Sequence, residues 1–218
     1  LRNGDWRAAE PWLEEAVQFL QPVPSGLTIA LILKGDVDAA RHHFDEAESS
    51  YRRGLQLGRE LGSHQLINRA LRRLASSQQR NGQLDAAIEM LMEALELARQ
   101  TGDSFGIADF SAELAAVLIE TNSFTDAQTS IREGLTEASR ISNSNFLCRL
   151  GLLQARLWMR EGRHQRADEM LLALDAEVPA DHALRTTLDE ALASALPTHQ
   201  QGHRPFSTLL SLVIAGVT

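Results

Sequence analysis

Residues 75–103 read ASSQQRNGQLDAAIEMLMEALELARQTGD. The opening residues close an amphipathic helix in which Leu66, Ala70, Leu71, Leu74, Ala75 and Ser77 recur at three-to-four spacing. Asn81-Gly82 breaks that helix with turn chemistry. A second helix then runs from about Leu84 to Arg99, with Ala87, Leu91, Ala94, Leu95 and Leu97 or Ala98 inward. Gln100-Thr101-Gly102 closes it, because glycine tolerates the left-handed backbone of a helix cap. Two helices and a tight turn make a hairpin, and the chain repeats this hairpin. Ala47, Ala87, Ala127 and Ala167 stand 40 residues apart, each preceded by three residues by Phe44, Leu84, Phe124 or His164. Four residues after each alanine come Tyr51, Leu91, Ile131 and Leu171. A fixed period of this length marks supersecondary units stacked in one dimension.

Small residues fix how the helices meet. Positions 35, 75, 115, 155 and 195 are glycine or alanine, as are 16, 54, 94 and 134. A small residue at mid-helix lets a neighbouring helix approach closely. Glycine costs helix propensity, so Gly54 and Gly134 need a packing reason. The register extends both ways, from Gly4-Asp5-Trp6-Arg7-Ala8-Ala9 to Gly202. The expected organisation is a single array over 1–218. It comprises a half unit at 1–21, units at about 22–62, 63–102, 103–142 and 143–180, and a degenerate unit at 181–218. In the last unit a first helix is expected from Asp181 to Leu196 and a short second one from Phe206 to Val217. The first full unit reads as irregular, with Asp36-Val37-Asp38 interrupting the apolar run Leu27 to Val37.

Bulk chemistry narrows the function. The apolar fraction is 44% and the net charge −8, which argues against nucleic-acid binding driven by a basic footprint. One cysteine, Cys148, excludes an internal disulfide and any cysteine–histidine metal spacing. A reducing compartment fits, and a cytoplasmic location is expected. There is no visible signal peptide, and the longest apolar stretch, near Leu209 to Val217, is too short to span a bilayer. The start at Leu1, inside a repeat motif, reads as a piece of a longer protein or a processed one.

The arrangement resembles the tetratricopeptide repeat. That pattern has a small residue in helix A, glycine near the turn, an aromatic opening helix B, and small residues three and ten positions on. The second unit offers Ala75, Gly82, Leu84, Ala87 and Ala94. The third offers Ala115, Asn122, Phe124, Ala127 and Gly134, and the fourth Ala155, Gly162, His164, Ala167 and Leu174. The departures are a period longer than the usual ~34 residues, no proline after helix B, and Leu174 in a small-residue slot. The close Leu97-Ala98-Arg99-Gln100-Thr101-Gly102-Asp103 is similar to the long-repeat arrays of maltose-activator-type and Rap or PlcR-like bacterial regulators, and to those of spindle-orientation adaptors. The resemblance implies an all-α, right-handed superhelix of antiparallel hairpins, without catalysis, whose helix A surface binds a protein, a peptide or a regulatory ligand. HEAT-like arrays have a comparable period but lack a turn glycine followed by an aromatic.

Counting from the small residue of helix A, outward positions fall six and three before it, and one, four and five after it. Unit two then presents Arg69, Arg72, Ser76, Gln79 and Arg80; unit four presents Arg149, Leu152, Arg156, Met159 and Arg160. Between them unit three presents Asp109, Ala112, Ala116, Ile119 and Glu120. The expected site is a groove with two arginine clusters around a partly apolar floor, suited to an acidic partner. Reversing Arg72 and Arg156 to Glu is expected to abolish binding with little change in melting temperature.

Other constellations read as structural. Asp36, Asp38, His42, His43, Asp45 and Glu46 form a dense run, yet only His42 and Glu46 share a helical face, so no metal is expected. Cys148 reads as a buried, inert thiol and His164 as a packed ring. No phosphate loop, metalloprotease pair or nucleophile elbow occurs, and neither an enzyme activity nor a cofactor is expected. Trp12 and the Leu209 to Ile214 run suggest apolar array ends that meet a partner, further repeats or another copy. The function expected is a binding scaffold; the alternative is the ligand-sensing arm of a larger signalling ATPase or transcription activator. RNA reading by helical repeats is disfavoured by the charge and by the lack of groove-facing aromatics.

Overall fold

In the computed structural model, residues 6–178, 184–195 and 206–216 are described. The expected features at Gly4-Asp5, Asp181 and Gly202 lie outside them. Eleven helices make up the described residues, in two compact bodies divided between Thr101 and Gly102. The first body holds α1 (Trp6–Phe19), α2 (Pro24–Ala40), α3 (Phe44–Glu60), α4 (His64–Arg80) and α5 (Leu84–Thr101). The second holds α6 (Ser104–Glu120), α7 (Phe124–Arg140), α8 (Ser144–Arg160), α9 (His164–Glu177), α10 (Arg185–Ala195) and α11 (Phe206–Ile214).

The period has a finer structure than 40. Left-handed backbone recurs every 20 residues, at His42, Gly62, Gly82, Gly102, Asn122, Ser142 and Gly162, with φ between 52° and 77°. Each such residue follows the last helical turn. At six of the seven, the next N–H bonds the carbonyl five residues back, as in His43 to Asp38, Ser63 to Gly58 and Gln83 to Gln78 at 2.8–3.0 Å. That bond satisfies carbonyls a helix end leaves orphaned. Helix A and helix B of each hairpin are therefore near-equal rods joined by the same three-residue link. His42, Asn122 and Ser142 do by strain what glycine does freely.

The repeated small residues seat the helices. A side chain added to Gly35 would lie 2.5 Å from the Tyr51 ring, so α2 and α3 close on each other only because none is there. Gly134 in α7 faces Leu150 of α8 and Ser111 of α6. Ile32, Ala47, Tyr51, Ala70 and Leu74 form a shared core of α2, α3 and α4. Leu174 fills its small-residue slot fully buried.

Two expectations are corrected. α2 runs unbroken through Asp36-Val37-Asp38. Both carboxylates have partners: Asp36 accepts from Tyr51 Oη at 2.8 Å and from Arg73, and Asp38 accepts from Lys34 Nζ at 2.7 Å. With their charges matched, the acids no longer argue for a turn. The apolar run near the end is also not an open face over its described part. α11 lies on α7 and α9 and buries Leu209, Leu210 and Val213, while α10 packs on α9. These leucines and the valine close off the apolar flank of α7 and α9, where their burial replaces contact with water.

Candidate functional site

In the first body the C-terminal halves of α2 and α4, with the first turns of α3, line a cavity of about 310 Å³. Asp36, Ala39 and Ala40 line one wall, Arg73, Ser76, Ser77 and Arg80 the other, and Phe44 and Tyr51 the floor. The floor is held rigidly. Tyr51 is buried and donates to Asp36, which also receives Arg73 through Nε and Nη2 at 2.9 Å each, a fork-on-carboxylate pair. Burial, with Asp36 beside it, pushes the Tyr51 phenol well above its ordinary value and keeps it a neutral donor. The Arg73 charge is thus matched inside the cavity wall. Arg80 is exposed, and its Nη2 comes no closer to Ser76 Oγ than 3.5 Å. The lip of the cavity therefore carries a solvated guanidinium above two serine hydroxyls and an apolar floor.

Of the unit-two residues expected outward, Arg69 and Arg80 are exposed, Ser76 and Gln79 half-buried. Arg72 is half-buried and engaged within the fold. It is a poor probe of a surface site, since reversing it would disturb packing too. Counting along α4 alone does not reach Asp36 of α2 or Phe44 and Tyr51 of α3, and it passes over Arg73 and Ser77, which stand two residues either side of Ala75 on a flank outside the outward positions.

The second body uses its arginines differently. Arg149 of α8 donates to Asp109 of α6 at 2.8 Å, with Glu113 at 4.0 Å; Asp109 is only 5% exposed. Arg156 lies 3.6 Å from Glu120, and Arg160 donates to the Asn122 side chain at 2.6 Å. All three tie α8 to α6 or to the turn that follows it. Two residues expected on the groove floor are inside instead. Ile119 is fully buried, because it sits one turn beyond Ala115 on the same face and follows that anchor into the core; Ala112 is fully buried as well. Asp109 is buried under its arginine. Met159 and Leu152 are half-buried.

Cys148 is buried, and burial, reinforced by Glu177, raises its thiol pKa, which opposes thiolate chemistry. His164 is exposed rather than packed. It opens α9 where Phe44 and Phe124 open theirs. Among the described residues, no group of three or more His, Cys, Asp or Glu is placed to hold a metal. No helix there is long and apolar enough to cross a membrane.

The geometry defines a class, an all-α solenoid of tetratricopeptide-like helix hairpins. Residues 69–101, from Arg69 of α4 to the end of α5, match the tetratricopeptide repeat family. The chain is similar in fold to the crystal structure of BtubC (BKLC) from P. vanneervenii, at 21% sequence identity and a TM-score of 0.74. The likeness covers 87% of this chain and 81% of that one. No curated protein matches the sequence. Tetratricopeptide repeats generally mediate protein–protein interaction.

Proposed function

We propose that this chain is a non-catalytic scaffold that binds a protein through an acidic, extended peptide segment on the α2–α4 surface of its first body. The observation that carries the reading is the cavity at the ends of α2 and α4, with the exposed Arg80 guanidinium at its lip. A guanidinium offers a rigid fork of donors that matches a carboxylate. Ser76 and Ser77 add hydroxyls beneath it, Phe44 and Tyr51 take an apolar side chain, and Arg69 and Gln79 extend the same helix surface. In the second body Arg149, Arg156 and Arg160 serve mainly as ties between helices, with Met159 beside them, so they contribute less to the contact. Peptide-display selection against the whole chain, followed by calorimetric titration of the selected peptides, tests this. Acidic sequences should be enriched, and Arg80→Glu should weaken them at least tenfold without unfolding the protein. Selection of peptides without acidic residues, or equal affinity for the variant, contradicts it.

A second reading rests on the cavity volume, which lies at the lower end of the ~300–1,000 Å³ typical of small-molecule sites. On that reading the cavity takes a small anionic regulatory ligand, and the chain is the sensing arm of a larger cytoplasmic signalling ATPase or transcription activator of the maltose-activator or Rap/PlcR type. A cell-extract metabolite that raises the melting temperature of the wild type but not of Arg80→Glu would favour it.

A further inference from the structure

On the reading that the α2–α4 cavity binds an acidic peptide, we infer that the peptide anchors there by an adjacent pair of residues, a branched aliphatic side chain and then a carboxylate, and that Ala39 and Ala40 set this specificity. The repeat supplies the comparison. α2 ends in Ala39-Ala40, whereas the A helices of the next three units end in Gln79-Arg80, Ile119-Glu120 and Met159-Arg160. Two methyl groups thus stand at the end of α2 where its counterparts carry long side chains, and both line the cavity.

Position 39 governs the apolar part. Ala39 stands one turn beyond Gly35, on the same face of α2. Gly35 closes on Tyr51, and Ala39 packs against the core of Ile32, Ala47, Tyr51, Ala70 and Leu74. Ile119 holds the same place in the second body, one turn beyond Ala115, and is fully buried. By register, its side chain fills the space that in the first body stays open above Phe44 and Tyr51.

Position 40 governs the charge. In the second body Glu120 faces Arg156 at 3.6 Å, and Arg160 donates to Asn122 Oδ1 at 2.6 Å. The counterparts of these four residues in the first body are Ala40, Ser76, Arg80 and His42. No carboxylate stands at position 40, and His42 is turned edge-on to Phe44, with ring centroids 5.7 Å apart. Among the described residues, Arg80 is left with its 3.5 Å approach to Ser76. The second body therefore supplies from its own chain, as Ile119-Glu120, the aliphatic group and the carboxylate that the first body lacks. A partner segment presenting the same pair completes the hairpin. Its aliphatic group covers Phe44 and Tyr51 and displaces water from them, and its carboxylate meets the fork of Arg80.

The probes are labelled dodecapeptides of glycine and serine with Ile-Glu, Gly-Glu or Ile-Gln at the centre, amidated so that no terminal carboxylate contributes. Titrated into the full chain and followed by fluorescence anisotropy, the Ile-Glu peptide should bind, and either replacement should weaken it at least tenfold. Ala39→Ile should weaken the Ile-Glu peptide at least tenfold and leave it no better than Gly-Glu, because the aliphatic site is then filled from within. Ala40→Glu should weaken it similarly, by setting a carboxylate of the chain beside Arg80. Ala40 is exposed, so this variant carries the test if circular dichroism shows that Ala39→Ile disturbs the fold. Equal affinity of the wild type for Ile-Glu and Gly-Glu, or undiminished binding of Ile-Glu by both variants, would overturn the inference, and the acidic-peptide reading would survive it provided that Arg80→Glu weakens both peptides. Binding of none of the peptides, or binding that Arg80→Glu leaves unchanged, would overturn both.

Discussion

Four single residues show how far a position can be read from its surroundings. Gly35 is a site where adding a methyl group has a definite sign. Alanine gains about 1 kcal/mol of helix propensity over glycine, but its Cβ would fall 2.5–3.0 Å from a Tyr51 ring fixed by Asp36. Overpacking costs about 1–3 kcal/mol, so Gly35→Ala should lower stability in denaturant by about 1 kcal/mol. At Gly54 the nearest atom is Ile32 Cγ1 at 3.2 Å, which need give only a few tenths of an ångström, so the gain in helix propensity offsets the contact and Gly54→Ala should be close to neutral. Ser142 holds a left-handed φ of 52° at a cost of about 1–2 kcal/mol for a residue with a Cβ. Ser142→Gly should therefore raise the denaturation midpoint by an amount equivalent to about 1 kcal/mol. Tyr51, the single tyrosine, has its phenol pKa raised by burial and by Asp36. The native state thus favours the protonated phenol. The stability this contributes is complete below the ordinary value of about 10 and falls as pH rises beyond it. Tyrosinate absorbance in the folded protein should appear only well above that value, and Tyr51→Phe should flatten the alkaline loss of stability.

At the scale of the helix, the sequence carried much of the plan. The 40-residue spacing of Ala47, Ala87, Ala127 and Ala167, the small residues at 35, 54 and 134, and the glycines at 62, 82 and 102 all state local backbone or contact requirements. These depend on period alone. What could not be read depends on neighbours. Asp36 looks like a helix interruption until Tyr51 and Arg73, 15 and 37 residues away, are brought to it. Arg73 reads as one more arginine, although it forms a cavity wall with the helix before it. Counted from Ala115, Ile119 falls outward, yet a spacing of four keeps it on the anchor's face. The docking of α11 on α7 and α9 depends on apolar surface that no spacing specifies. Pairings between consecutive A helices also differ in worth. Arg149 covers a nearly buried Asp109, and removing one member of such a pair leaves an uncompensated charge. Arg149→Ala should cost about 2 kcal/mol, allowing for the partial exposure of Arg149. Arg156, facing Glu120 at 3.6 Å with both side chains well exposed, should cost about 0.5 kcal/mol or less on the same change. Urea titration of the two variants side by side checks the contrast.

Over the whole molecule, the acidic balance and the hairpin repeat fit a protein that offers helix surfaces to others. The site proposed for that purpose is local. It depends on two A helices of the first body, a floor fixed by Tyr51 and Asp36, and one arginine that the fold leaves at the surface. Such a site should respond to the charge of Arg80 and not to that of Arg156, which the second body uses between its own helices. The most direct measurement is hydrogen exchange of the whole chain with and without an acidic peptide taken from display selection. The account predicts slowed exchange confined to the later turns of α2 and α4 and the start of α3, and its disappearance in Arg80→Glu. Protection spread over α6 and α8 instead, or unchanged protection in Arg80→Glu, would contradict it.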